Sequence, residues 1–228
     1  MTDYADTYDP DTDFDRHYTI ATGHAIGEHV KPGEIVLELG CATGLMTEIL
    51  AARGCQIIGV DRSEEYLGRA RERVSRAEYV RDDVSTYEPG VKIDHVVATN
   101  VLHELPDPLG FLRHCRRILR PGGLLHLALQ NPNSIHRLVA LELGLIDSVT
   151  EISERGAQWG TLHMFTAAQL EAMCYGAGFE MMSRRGIMLK PLPNAEMERL
   201  SPEVLDGFQR AARWFPEHSA VNYLVARA

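Results

Sequence analysis

Val36-Leu37-Glu38-Leu39-Gly40-Cys41-Ala42-Thr43-Gly44-Leu45-Met46-Thr47 runs an apolar stretch into Gly40, reaches a second glycine at Gly44, and resumes with helical spacing from Leu45. A short apolar run closed by glycine reads as a buried parallel strand. A glycine loop at the end of such a strand can hold a phosphate, hold another nucleotide-like ligand, or only turn a corner. A phosphate loop of the form G-x-x-x-x-G-K-[ST] needs a lysine that does not follow here. A dinucleotide fingerprint, G-x-G-x-x-G, needs glycine where Ala42 and Leu45 stand, and Leu45 does not suit a helix that must nearly touch its strand.

Outward from this loop, strands and helices alternate. Residues 34–39 form the first strand, 45–53 a helix stopped by Gly54, and 56–61 (QIIGVD) the second strand. Ser63 caps a charged helix over 64–75. Residues 78–84 read as a third strand and 93–100 as a fourth. A helix over 107–119 has Pro108 in its first turn; 120–123 (RPGG) is a turn and 124–130 a fifth strand. After Asn131 the pattern breaks. Residues 132–161 read as helical or irregular, most helical over 135–145. Thr166 caps a helix over 167–176, 180–189 is a strand, 202–214 a helix, and 220–226 a last strand placed at an edge of the sheet. Such alternation predicts an α/β fold with a doubly wound, mostly parallel sheet. Its ligand crevice lies at the carboxyl ends of the strands, where Asp61, Asp82, Asp83, Asn100 and Gln130 stand.

The 228 residues suffice for one domain with a full core. A net charge of −9 argues against a general nucleic-acid binder, whose footprint is a basic face. Residues 4–15 carry five aspartates. They read either as a solvated leader or as a segment that orders over a ligand, because Tyr4, Tyr8, Phe14 and Tyr18 interleave with the acids. The four cysteines lack C-x-x-C spacing, which disfavours a zinc or iron–sulfur site. With no secretory leader and no membrane-length apolar run, a reducing cytoplasm is the expected compartment.

Glu38-Leu39-Gly40-Cys41-Ala42-Thr43-Gly44 resembles the first motif of the class I S-adenosylmethionine-dependent methyltransferases, commonly E/D-x-G-x-G-x-G, with Ala42 in place of the middle glycine. Residues 100–105 (NVLHEL) are similar to that family's motif after strand four, and Leu119-Arg120-Pro121-Gly122-Gly123 to its turn before strand five. The resemblance spans residues 34–130, with a return in the last two strands. It implies a seven-stranded Rossmann-like sheet, an N-terminal helical segment and a lid inserted after strand five. The single domain would divide into a cap segment (1–33), a cofactor-binding core (34–131), a substrate lid (132–165) and the remainder of the sheet (166–228).

S-adenosylmethionine, with S-adenosylhomocysteine as product, is the implied cofactor. The implied contacts are Glu38, Gly40, Cys41, Ala42 and Gly44 toward the methionine part and Asp61 with Arg62 at the ribose. Asp82 or Asp83 with Val84 would meet adenine, and Asn100 and Val101 would lie beside the methyl. A carboxylate suits a vicinal diol because it offers only acceptors. His103, at the crevice rim, is the candidate base; its alternative roles are packing on adenine or capping the next helix. Glu104 is expected to face solvent or pair with an arginine. His163, just before the capped helix, is expected on the lid facing the cofactor. His136 and Arg137 read as exposed helix residues or as contacts to a polar substrate. Trp159, Met164 and Phe165 wall a pocket or fill the lid core. Catechol-type relatives hold a metal with acids after strands four and five. Here Asn100, Gln130 and Asn131 take those places, so no metal is expected.

The expected function is methyl transfer to a small polar acceptor, on oxygen in preference to nitrogen, in a monomer or homodimer without nucleic-acid or membrane partners. The rival readings are a non-catalytic adenosyl-binding regulator and a nicotinamide-linked oxidoreductase; the absent third glycine opposes the second.

Overall fold

The computed structural model describes Ala5 and residues 7–228, so Tyr4 lies outside the described residues. Seven strands, β1 (Ile35–Leu39), β2 (Gln56–Asp61), β3 (Glu78–Arg81), β4 (Ile93–Thr99), β5 (Leu119–Gln130), β6 (Glu180–Ile187) and β7 (Val221–Arg227), form one sheet in the order β3-β2-β1-β4-β5-β7-β6. β1 to β5 are parallel, and β7 runs antiparallel between β5 and β6. The helices are α1 (Arg16–Gly27), α2 (Leu45–Ala51), α3 (Glu64–Arg73), α4 (Pro108–Ile118), α5 (Ile135–Glu142), α6 (Glu154–Gln158), α7 (Ala167–Gly176), α8 (Asn194–Met197) and α9 (Pro202–Ala211). The chain winds outward from β1 through β2 to β3, then returns to β4 on the other side of β1. The crevice of this reversal opens above the carboxyl ends of β1 and β4, at Gly40 and Asn100.

Both faces of the central strands are covered, and successive residues serve opposite layers. Leu37, Leu39, Val96 and Ala98 join Phe111, Leu112 and Leu170 on one side. Val36 and Val97 join Ile26, Leu50 and Tyr223 on the other. Helix starts follow local chemistry: Ser63 accepts from Tyr66 N–H, Asp107 from Gly110 N–H, and Thr166 with Gln169 forms a capping box.

Three boundaries differ from the sequence pattern. β3 stops at Arg81, which leaves Asp82, Asp83 and Val84 in the turn beyond it. The Arg-Pro-Gly-Gly turn sits inside β5: Leu119 pairs with Ile93, and the ladder resumes only at Leu124 with His95. The last strand is internal, and β6 is the edge. β7 is buried along nearly its whole length, as its apolar run requires, whereas β6 carries Arg184 and Arg185 on an exposed rim.

A buried polar chain crosses the sheet at the opposite end from the crevice. Glu34 meets His95 Nε2 at 2.9 Å, His95 Nδ1 meets His126 Nε2 at 3.0 Å, and His126 Nδ1 meets Tyr223 Oη at 2.8 Å. Burial, with His95 and His29 nearby, holds the His126 pKa well below its ordinary value. The folded state therefore keeps His126 neutral while the unfolded chain takes up a proton near pH 6.5, so stability contributed by this group is lost as pH falls. The buried Glu38, raised to about 8, acts with the opposite sign. The readout is thus relative: the stability of His126→Gln measured against wild type by urea unfolding should improve as pH falls from about 7 to about 5. An unchanged difference would exclude His126 as an acid-labile group.

Candidate active site

The glycine loop is built on left-handed backbone. Gly40 and Gly44 both have φ +78°, and Ala42 between them has φ +44°. An alanine there bears a cost of about 1 kcal/mol, and the loop keeps the left-handed geometry. Gly40 and Cys41 N–H both donate to Val60 O, at 2.8 and 3.1 Å. Asp61 ties the loop to α3: its Oδ2 accepts from Ala42 N–H at 3.0 Å and its Oδ1 from Ser63 N–H at 2.9 Å. A Cβ at Gly40 would lie 2.7 Å from Val101 Cγ2, so the strand ends are as close as glycine allows.

The acidic leader is ordered over this loop. Thr43 Oγ1 donates to Asp11 Oδ1 at 2.8 Å. Arg73 donates to the same carboxylate at 2.9 Å and to Thr43 O at 2.9 Å. Arg69 donates to Asp9 at 2.8 Å and to Asp11 at 2.5 Å. Tyr8 O accepts from Tyr66 Oη, and the Tyr8 ring lies 4.6 Å from Trp159 of the lid, centroid to centroid. Of the interleaved aromatic residues, Tyr8 and Tyr18 line the crevice and Phe14 joins the core, with Tyr4 outside the described residues.

Below the leader lies a cavity of about 1070 Å³. Glu38, Gly40, Cys41, Ala42, Asp61, Arg62, Asp82, Asp83, Val84, Asn100, Val101 and His103 all line it. Gly44 does not; it caps α2 from behind, where a Cβ would sit 3.1 Å from Ala70. His163 does not line it either. Leu162 and His163 N–H both donate to His103 O, at 2.8 and 3.1 Å, and His163 Nε2–H donates to Leu105 O at 3.2 Å. Those bonds turn the ring behind His103, into a small separate cleft with Met164 and Phe165. The expectation that His163 faces the cofactor is therefore corrected: it joins lid to rim, while Trp159 alone of the three apolar lid residues walls the main cavity.

The electrostatics of the cavity are set by burial. Glu38 is pushed up to about 8 and accepts from Thr47 Oγ1 at 2.6 Å. Asp61 is raised by burial, against the pull of its two backbone donors. Burial, reinforced by His163, brings His103 down to about 4, which keeps its imidazole neutral at physiological pH. Glu104, expected to face solvent or an arginine, meets Arg62 at 3.6 Å; burial lifts it to about 7, and it lies 3.8 Å from His103 Nε2. Asp83 is lowered by its bonds to Ser85. Gln130 lines the cavity, but Asn131 is spent on structure, its Nδ2 donating to Glu217 O and Ser219 O at 2.9 Å each.

At the lid end, the exposed-helix reading of His136 and Arg137 is overturned. His136 is brought down to about 3 by burial, and Arg137 donates to Val149 O and Glu151 O. Asp15 and Tyr18, read from the sequence only as part of the leader, also line the cavity, and so does Lys190, which drew no attention in the sequence. Lys190 precedes Pro191-Leu192-Pro193, a segment with no period, and only the fold brings it to the cavity.

The donor set fits an adenosyl cofactor. Asp61 has lone pairs left on both oxygens after its two backbone bonds, the glycine loop leaves backbone open to the cavity, and Asp82, Asp83 and Ser85 supply polar groups one strand further along. Among the described residues no cluster of three or more His, Cys, Asp or Glu is placed to hold a metal ion, and no helix is long and apolar enough to cross a membrane.

Comparison with known proteins agrees with this geometry. A family model described as "Methyltransferase domain" matches residues 14–184. A ubiquinone biosynthesis O-methyltransferase of Leptothrix cholodnii is 25% identical over 199 residues, covering 84% of this chain and 76% of that protein. The N-methyltransferase NodS of Bradyrhizobium japonicum, solved with S-adenosylhomocysteine, superposes with a TM-score of 0.63 at 17% identity over 96% of this chain and 89% of that one. The [4+2]-cyclase SpnF superposes with a TM-score of 0.64 at 19% identity over 97% and 85%. With the matched domain covering most of its length and an adenosyl-shaped donor set at its sheet reversal, the chain belongs to the S-adenosylmethionine-dependent methyltransferases of the Rossmann-like class.

Proposed function

We propose that this chain, acting as one domain, methylates an oxygen of a small polar acceptor held between His103 and the lid. The observation that carries the reading is the continuity of the cavity. It runs from the glycine loop past Asn100, His103 and Glu104 to Trp159 and Lys190, and its volume exceeds the roughly 300–1,000 Å³ of a pocket for one drug-sized ligand. Asp61, with Arg62, would hold the ribose; Asp82 or Asp83 with Val84 would hold adenine; Glu38 and the loop of Gly40, Cys41 and Ala42, whose amides are pinned to Val60 O and Asp61, would lie against the methionine end. Bound there, S-adenosylmethionine supplies an electrophilic methyl on a good leaving group.

The protein's own task is alignment, exclusion of water and removal of one proton. Tyr8 and Trp159 close the roof. Neutral His103 is ready to accept a hydrogen bond from the acceptor hydroxyl. Glu104 beside it, at about 7, is better matched to taking the proton near neutral pH than an imidazole at about 4. The O-methyltransferase named among the relatives supports oxygen over nitrogen; NodS keeps nitrogen as the second reading.

Incubation with methyl-labelled S-adenosylmethionine and a panel of small phenols, catechols, hydroxy acids and amines should yield O-methylated products. Their kcat/KM should rise through about pH 7. Glu104→Gln should remove that rise and lower kcat by about 10²–10⁴-fold, the usual scale of general-base catalysis. Products methylated only on nitrogen would overturn the oxygen reading, and an unchanged pH profile in the variant would remove Glu104 from it.

A further inference from the structure

Lys190 is 8% exposed and lines the cavity, as do Arg137 and Trp159 of the lid. Among the described residues no carboxylate lies within ion-pair distance of it and no acceptor receives its protons. Its ammonium is not among the fully buried unpartnered atoms, so it opens to the cavity with its donors left for a ligand. Burial brings Lys190 down to about 8, although Asp15 nearby favours its charge.

Around Lys190, the cations Arg137 and Arg155 face Asp13 and Asp15, with Glu151 near Arg137. Asp13 is engaged by Arg155. Asp15 is raised by burial, while the bond it accepts from Asn194 Nδ2 at 3.3 Å favours its charge. Arg137 directs Nε and one terminal nitrogen at backbone carbonyls and keeps its other terminal nitrogen free of protein hydrogen bonds. His136 Nδ1 is fully buried without a partner. Trp159 supplies an aromatic wall beside these groups, with the guanidinium of Arg155 4.0 Å above its ring. A dianion would be repelled by Asp15, whereas a monoanion on a flat or short carbon frame matches the donors of Lys190 and Arg137 that no protein acceptor takes, and the wall.

We propose that the lid end of the cavity is a subsite for a carboxylate on the methyl acceptor, anchored by Lys190 with Arg137 beside it. The proposal rests on the small-acceptor reading above and sharpens it: the acceptor is a hydroxy acid, held by its carboxylate at the lid and presenting its hydroxyl, not its carboxylate, toward His103.

The test reads binding and so stands apart from turnover. Protein saturated with S-adenosylhomocysteine is titrated calorimetrically with 4-hydroxybenzoate, 4-hydroxybenzamide and 4-hydroxyphenylphosphonate. The carboxylate should bind at least about tenfold more tightly than the amide, the scale of one charge-assisted hydrogen bond. In Lys190→Met that preference should fall to within about twofold, and Lys190→Arg should retain it, with S-adenosylhomocysteine affinity unchanged in both. Lys190→Gln gives the same comparison if the methionine variant does not fold. Equal binding of carboxylate and amide, no binding of either, tightest binding of the phosphonate, or a preference that survives in Lys190→Met would each overturn the subsite. None of these outcomes touches the transfer reading, which fails only if no acceptor is methylated on oxygen.

Discussion

Replacing Asp61 with alanine is expected to weaken S-adenosylhomocysteine binding by about 10²–10⁴-fold. The carboxylate stands at the end of β2, and each oxygen already accepts one backbone N–H, from Ala42 and from Ser63. Those bonds fix its plane and leave one further acceptor site per oxygen, the arrangement a vicinal diol completes. Two hydrogen bonds to a charged acceptor contribute about 1.5–3 kcal/mol each, and each 1.4 kcal/mol is tenfold in affinity. The alanine variant also releases the tether that holds Ala42 at positive φ, so the loop loses its preformed shape. Asp61→Asn keeps one acceptor oxygen and should fall between the two. Calorimetric titration of the three proteins decides the matter: an alanine variant within about threefold of wild type would remove Asp61 from the cofactor site.

The cofactor half of the site was legible because its signals are local. Strand-end glycines, an acid closing β2 and a capped helix after it are all short-range patterns, and the structure places Gly40, Asp61 and Tyr66 of that helix around one cavity, with Gly44 behind the loop. The acceptor half is assembled from the leader, the lid and residues 190–194, none of which has a period. Asp11 acquires meaning only through Arg69, Arg73 and Thr43, which are more than thirty positions away in the chain. His163 sits where the sequence put it, at the lid rim, yet two backbone bonds to His103 O rotate it out of the cavity; such bonds leave no trace in residue spacing. The final strand was displaced from the edge because antiparallel insertion beside β5 buries both of its faces, a tertiary choice that its apolar run permits but does not specify. Fold likeness alone does not name the chemistry, since the same architecture is found in SpnF, named as a cyclase.

Gly40→Ala should be the most damaging small substitution in the loop, through two separable terms. The first is conformational: at φ +78° an alanine costs about 1 kcal/mol relative to glycine. The second is steric, because the added Cβ meets Val101 Cγ2 at 2.7 Å, closer than real contacts allow. Val101 is anchored at the end of β4 and is itself buried, so the loop must move rather than the valine. Together the terms should lower stability by about 2–3 kcal/mol, the usual range for overpacking combined with backbone strain, and S-adenosylhomocysteine affinity by about tenfold or more as the loop backbone shifts in the cavity. Gly122→Ala is the control: the same residue pair at φ +77° but with nothing within 4 Å of the new methyl, it should show the conformational term alone and bind the cofactor product normally. Adding Val101→Ala to Gly40→Ala removes the collision but not the strain. The double variant should therefore regain about 1 kcal/mol of coupling in thermal unfolding and part of its affinity. Affinity equal to wild type in Gly40→Ala would mean that the loop backbone does not approach the cofactor, and absence of rescue would mean that strain, not the contact with Val101, holds the glycine in place.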